Sequence, residues 1–126
     1  MPVELNHTIV RCTDKDASAR FLAEILGLPA PRTYGPFVVV QAANGVSLDY
    51  ADDHGRVHPQ HYAFLVSEDE FDQIHGRIVQ RGLTYWADPG HRTENQLNTN
   101  DGGRGLYWSD PDGHNLEIIT VPYGGG

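Results

Sequence analysis

Residues 107–117 read Tyr107-Trp108-Ser109-Asp110-Pro111-Asp112-Gly113-His114-Asn115-Leu116-Glu117, an Asp-Pro-Asp-Gly turn set between two largely apolar runs. Proline pre-sets the backbone for the second position of a type I turn, so Asp110 to Gly113 reads as a tight link. It joins a strand over Gly105 to Ser109 with another over Asn115 to Val121. Side chains alternate between the faces of a strand, so Glu117 shares its row with Ile119 and Val121.

Upstream, His61 to Val66 reads as a strand, and Ser67 with Glu70 three residues later forms a capping box that opens a helix. Phe71, Ile74, Ile78 and Val79 make the buried stripe of that helix, and Gly82 ends it. The first half of the chain has the same order. Leu5 to Cys12 reads as a strand, and Thr13 and Asp14 can cap a helix carrying Ala17, Phe21, Leu22, Ile25 and Leu26. Gly27 closes this helix. After a Pro-rich connection, strands over Phe37 to Ala42 and Val46 to Ala51 flank Asn44-Gly45, a hairpin signal. His7 falls over His61 at a shift of 54 and Gly27 over Gly82 at a shift of 55, which internal duplication explains most simply. The expectation is one domain over residues 1–126, made of two repeats of about 3–57 and 58–123.

Bulk properties narrow the function. The 126 residues fit one compact domain, which at this size removes roughly two-thirds of the unfolded surface from water. Hydrophobic residues at 39% and charged residues at 21% are ordinary for a globular chain, and Gly 14 with Pro 8 implies many turns. The terminal Gly124, Gly125 and Gly126 carry no side chains to pack and read as disordered. A net charge of -8 argues against nucleic acid or an anionic membrane as partner. No stretch approaches the roughly 20 apolar residues of a membrane helix. The start lacks a basic segment followed by an apolar run, so a cytoplasmic location is expected. Cys12 is the single cysteine, which excludes internal disulfides and zinc sites built on several thiolates. Any metal must be held by histidine and carboxylate.

In the strand after residue 60, Tyr62, Phe64 and Val66 make a bulky row suited to pack under helices, while His61, Ala63 and Leu65 face the other way. In the first half Asp49 shares its row with Ser47 and Ala51, and Leu48-Asp49-Tyr50 matches Leu116-Glu117-Ile118 by type. The duplication therefore pairs His7 with His61 and Asp49 with Glu117. A buried carboxylate costs several kcal/mol unless something pairs with it. A divalent cation is such a partner. Two imidazoles and one carboxylate with open positions suit Fe(II), and Mn, Ni or Zn are also compatible. His7, His61 and Glu117 are the candidate ligands of one divalent metal ion. Asp49 is a fourth ligand or a base beside the metal, and Tyr107 is a core aromatic or a catalytic phenol. Taken singly each is an ordinary strand residue; only the duplication makes them a set.

From Leu5-Asn6-His7-Thr8 through His61-Tyr62-Ala63-Phe64 to the closing Asp-Pro-Asp-Gly turn and Glu117, the chain resembles the vicinal oxygen chelate superfamily. Its members include glyoxalases, extradiol dioxygenases, fosfomycin-modifying thiol transferases and bleomycin-binding proteins. The resemblance implies an α+β fold of two βαβββ modules, whose curved mixed sheets enclose a metal and a small ligand. His7, His61 and Glu117 fall on the shared metal positions. Members of this length commonly form the pocket from two subunits, so a homodimer is expected, with His7 of one chain meeting His61 and Glu117 of the other. Asp49 falls at the fourth-ligand position of glyoxalase I, and Arg11 where that family binds the glutathione carboxylate, which are features of isomerase or lyase chemistry. Tyr107 falls where extradiol dioxygenases carry an assisting tyrosine, a position the fosfomycin enzymes share, while the dioxygenases' separate acid-base histidine has no clear counterpart and a full ring cleaver usually has a longer chain. Against the fosfomycin enzymes, Ile9 replaces a threonine near the metal and no arginine follows the last strand.

Residues 88–104 form a polar stretch too long for a casual connection, and such loops are often lids or binding loops. Arg92, Asn95 and Arg104 are its candidate substrate contacts. Trp86, Trp108, Tyr62 and Phe37 are aromatic candidates for a pocket, or core. Two functions remain open at this point. One is an enzyme in which a cation stabilises negative charge on a small oxygen-rich substrate, by isomerase, lyase or dioxygenase chemistry. The other is a protein that sequesters an antibiotic or other metabolite without turnover.

Overall fold

Duplication is visible in the hydrogen-bonded order of the strands. The computed structural model describes residues 2–123, so the expectation for Gly124 to Gly126 lies outside the described residues. The chain divides between His58 and Pro59 into two units. Unit 1 contains β1 (His7–Cys12), α1 (Lys15–Leu26), β2 (Arg32–Tyr34), β3 (Phe37–Gln41) and β4 (Ser47–Asp52). Unit 2 contains β5 (His61–Leu65), α2 (Glu68–Gln80), β6 (Tyr85–Trp86), a 3-10 turn (Asn100–Gly102), β7 (Gly105–Ser109) and β8 (Asn115–Ile119). The sheets run β1-β4-β3-β2 and β5-β8-β7-β6. In each, the first and last strands pair in parallel and the rest are antiparallel. This is an α+β fold of two βαβββ modules.

Local chemistry explains the element ends. The Asp14 side chain accepts the Ala17 N–H at 3.1 Å and starts α1, and Gly27, at φ 70, ends it. Ser67 and Glu70 close a reciprocal capping box at the start of α2, with bonds of 3.0 and 3.1 Å. Packing corrects both helical stripes. In α1 the buried residues are Ser18, Ala19, Leu22, Ala23 and Ile25, whereas Ala17 is exposed. In α2, Phe71, Ile74 and Ile78 are buried, but Val79 is 54% exposed because its neighbour Ile78 takes the core side of the last turn. The strands β2 and β6 fill segments that read as connections, and β5 stops at Leu65, one residue short of Val66. Among the described residues no helix is long and apolar enough to cross a membrane.

Candidate metal centre

Strands β5 and β8 are parallel, with His61 opposite Asn115 and Ala63 opposite Glu117. Odd-numbered residues of both strands share one face, so His61 and Glu117 meet diagonally. His61 Nε2 lies 3.0 Å from Glu117 Oε1, with 47% of the histidine side chain and 14% of the glutamate side chain exposed. Two donors each about 2.1 Å from one ion and at right angles to each other lie about 3 Å apart, so the pair fits two sites on one cation. Strand β7 sets Tyr107 directly opposite Glu117, and its ring centroid is 5.9 Å from that of His61. Burial pushes the Tyr107 phenol above its ordinary range, and the hydrogen bond it donates to Glu117 pushes it further. Tyr107 therefore keeps its proton and acts as a donor.

Unit 1 repeats the arrangement in register. Strands β1 and β4 are parallel, with His7 opposite Ser47 and Ile9 opposite Asp49. His7 is exposed and its Nδ1 meets Asn6 Oδ1 at 2.7 Å. Asp49 is only 9% exposed. Val39 stands opposite Asp49 where unit 2 has Tyr107, so this half lacks the phenol. Of the predicted ligands the structure brings His61 and Glu117 together and carries His7 on the first unit. Among the described residues no three His, Cys, Asp or Glu side chains gather as a metal-holding group.

The His61–Glu117 pair lies in a cavity of about 410 Å³, with Ala63, Ile119 and Val121 as apolar wall. The 88–104 loop supplies Pro89, Asn98, Asn100 and Asp101. It is held at several points. The Asp88 carboxylate accepts the Thr93 N–H at 2.7 Å and the Arg92 N–H at 3.0 Å. Asn98 and Gly105 exchange both backbone hydrogen bonds at 3.0 Å. A Cβ on Gly105 would meet the Asn98 amide group at 2.8 Å, so a larger residue there would displace that side chain. His91 stacks on Trp86 with centroids 3.7 Å apart, and its Nε2 meets Asn115 Oδ1 at 2.8 Å. The only positive-φ non-glycine residues among those described, His91, Asn95 and Asp101, all fall in this loop.

Several expected substrate contacts are placed otherwise. Arg104 lines the cavity, but its guanidinium is committed to Glu68 and Asp72, each at 2.8 Å. Arg92 is exposed and outside the cavity lining, and Asn95 pairs with Tyr85 instead, its N–H donating to Tyr85 O at 2.6 Å. Trp108 is fully buried: it shares the row of Leu106, while the opposite row of β7 presents Tyr107, so it is core and not a ligand contact. Arg11 is exposed on the row of His7 and Ile9. Sequence reasoning missed His114. It is 1% exposed, its N–H donates to Asp110 Oδ1 at 2.9 Å, and its Nδ1 accepts the N–H of Gln60, the residue before His61. The signal was the histidine beside the Asp-Pro-Asp-Gly turn.

This paired fold, with its carboxylate and histidine on matched strands, belongs to the Glyoxalase/Bleomycin resistance protein/Dioxygenase superfamily, whose family model matches residues 4–118. The chain is similar to two solved structures with a TM-score of 0.96. They are Oxidase ChaP-H1, 69% identical over 98% of this chain and 100% of that one, and Oxidase ChaP-H2, 66% identical over all of both chains. It is also 32% identical over 120 residues to the glutathione transferase FosA of Serratia marcescens, covering 90% of this chain and 78% of that protein.

Proposed function

We propose that the chain is a metal-dependent oxidase of a small oxygen-rich molecule, with His7, His61 and Glu117 holding one divalent cation per site. In this reading two copies form a homodimer and His7 comes from the second copy. The observation that carries it is the 3.0 Å approach of His61 to Glu117 at a cavity wall. Oxidase chemistry is supported by the 69% identity to a protein of that name. It is favoured over the isomerase or lyase chemistry that Asp49 and Arg11 raise, and Ile9 on the ligand row counts against thiol transfer. Exposed Val3, Leu5 and Ile9, at 99%, 69% and 41%, offer apolar surface for a second copy to cover.

A cation bound there would supply Lewis acidity toward a substrate oxygen and, if it is iron, a route by which electrons lost by the substrate reach dioxygen. The chain does the rest. Tyr107 fixes the Glu117 carboxylate by hydrogen bond and keeps a proton available at its Oη. Asp49 accepts a proton from a substrate hydroxyl. Ala63, Ile119 and Val121 keep water from the reacting face, which strengthens every charge interaction there.

The reading is tested by loading protein purified without an affinity tag with Fe(II) and following dioxygen uptake with hydroxylated naphthoates and quinones. Metal-dependent uptake above the protein-free blank, lost in Glu117→Ala, is expected. Turnover without dioxygen uptake contradicts the oxidase, and tight ligand binding by metal-free protein without turnover favours a sequestering protein.

A further inference from the structure

The geometry points to a recognition site in unit 1, where Arg32 takes the acidic oxygen of a planar aromatic ligand and Asp49 takes its hydroxyl. Arg32, Tyr34, Phe37, Val39, Asp49 and His7 line an open chamber of about 350 Å³. The register builds it from the sheet. Arg32 stands opposite Val39, and Val39 opposite Asp49, so the three form one row across β2, β3 and β4. With strands about 4.8 Å apart, the cation and the carboxylate lie roughly 10 Å apart on one face, with an apolar side chain between them.

Neither charge is used by the fold. Among the described residues the side chains of Arg32 and Asp49 have no hydrogen bond or ion pair. Asp49 is nevertheless 91% buried by its 9% exposure, a costly state for a carboxylate without a partner. Strand β2 serves no core, since all three of its residues are exposed. Its aromatic, Tyr34, is 70% exposed and stands opposite Phe37. An unpaired guanidinium fork suits a carboxylate or similar oxyanion bidentately, and the two aromatic rings suit a flat ligand body. A ring system with an acidic oxygen at one end and a hydroxyl toward the other would meet Arg32, Val39 and Asp49 in turn. His7 lies on the same chamber, so the reaction such a ligand meets rests on the metal reading above, whereas recognition by Arg32 needs no metal.

The test uses the full chain, after chelation and after reloading with Zn(II), titrated with fluorescent 6-hydroxy-2-naphthoate, whose carboxylate and hydroxyl lie at opposite ends of the ring system, and with 2-naphthol, which lacks the carboxylate. Saturable hydroxynaphthoate binding is expected, weakened about tenfold or more by Arg32→Gln and less by Arg32→Lys. Tyr34→Ala should weaken both probes, and Arg32→Gln should leave 2-naphthol unchanged. No saturable binding, equal affinity in wild type and Arg32→Gln, or an equal loss for both probes overturns the site. Metal content measured on the same samples separates the two ideas. Arg32-dependent binding by protein that takes up no cation sinks the metal centre and keeps this site, and normal metal uptake without Arg32 dependence sinks this site alone.

Discussion

The Nδ1 atom of His114 accepts the backbone N–H of Gln60 at 2.9 Å, and Asn115 returns the link by donating to Gln60 O at 2.8 Å. Both bonds sit at the residue before His61, so they fix where β5 begins and how its imidazole meets Glu117. His114→Ala leaves a cavity and an unsatisfied N–H, and should cost about 2–4 kcal/mol in urea denaturation. Metal affinity should fall as well, and His114→Asn, whose Oδ1 can accept the same N–H, should restore part of it. Unchanged metal affinity in His114→Ala would show that Gln60 needs no such anchor.

Tyr107 donates to Glu117 from a buried position. Tyr107→Phe keeps the ring and removes the donor, so stability should change little. Turnover should fall about 10–100-fold, as for loss of a partner that orients a ligand, with metal stoichiometry retained. Steady-state rates with elemental analysis check this. Wild-type turnover would make the phenol a packing residue only.

Hydrogen bonds from the Thr93 and Arg92 backbones hold the Asp88 carboxyl below its ordinary value of 3.8. A depressed folded pKa contributes stability above the unfolded value, lost as pH falls through the folded one. The 88–93 turn should therefore tighten above about pH 4 and loosen at lower pH. Hydrogen-exchange protection of the Arg92 and Thr93 amides should drop between pH 5 and pH 3 and lose that dependence in Asp88→Asn. A pH-independent protection in wild type would contradict it.

The helices and the longer strands were legible because capping residues and alternation marked them. Strands β2 and β6 were not, since three and two residues carry no period to read. The α1 stripe was misjudged because its core side uses Ser18, Ala19 and Ala23, small side chains that admit the sheet closely and that a search for bulky residues passes over. His61 and Glu117 were readable because duplication and alternation set both on one face of adjacent strands. The loop contacts were not. Nothing in the sequence says that Arg104 is already spent on Glu68 and Asp72, or that Asn98 and Asn100 reach the cavity instead of Arg92 and Asn95.

A shared metal site between copies is tested most directly by mixing two variants, His7→Ala and His61→Ala, under conditions that exchange subunits. If His7 serves the His61–Glu117 pair of its partner, the mixed dimer has one site with both defects and one intact site. Each variant alone should then bind no cation, and the mixture should regain cation binding and dioxygen uptake as mixed dimers form. A mixture that stays as metal-free and inactive as its components would contradict it.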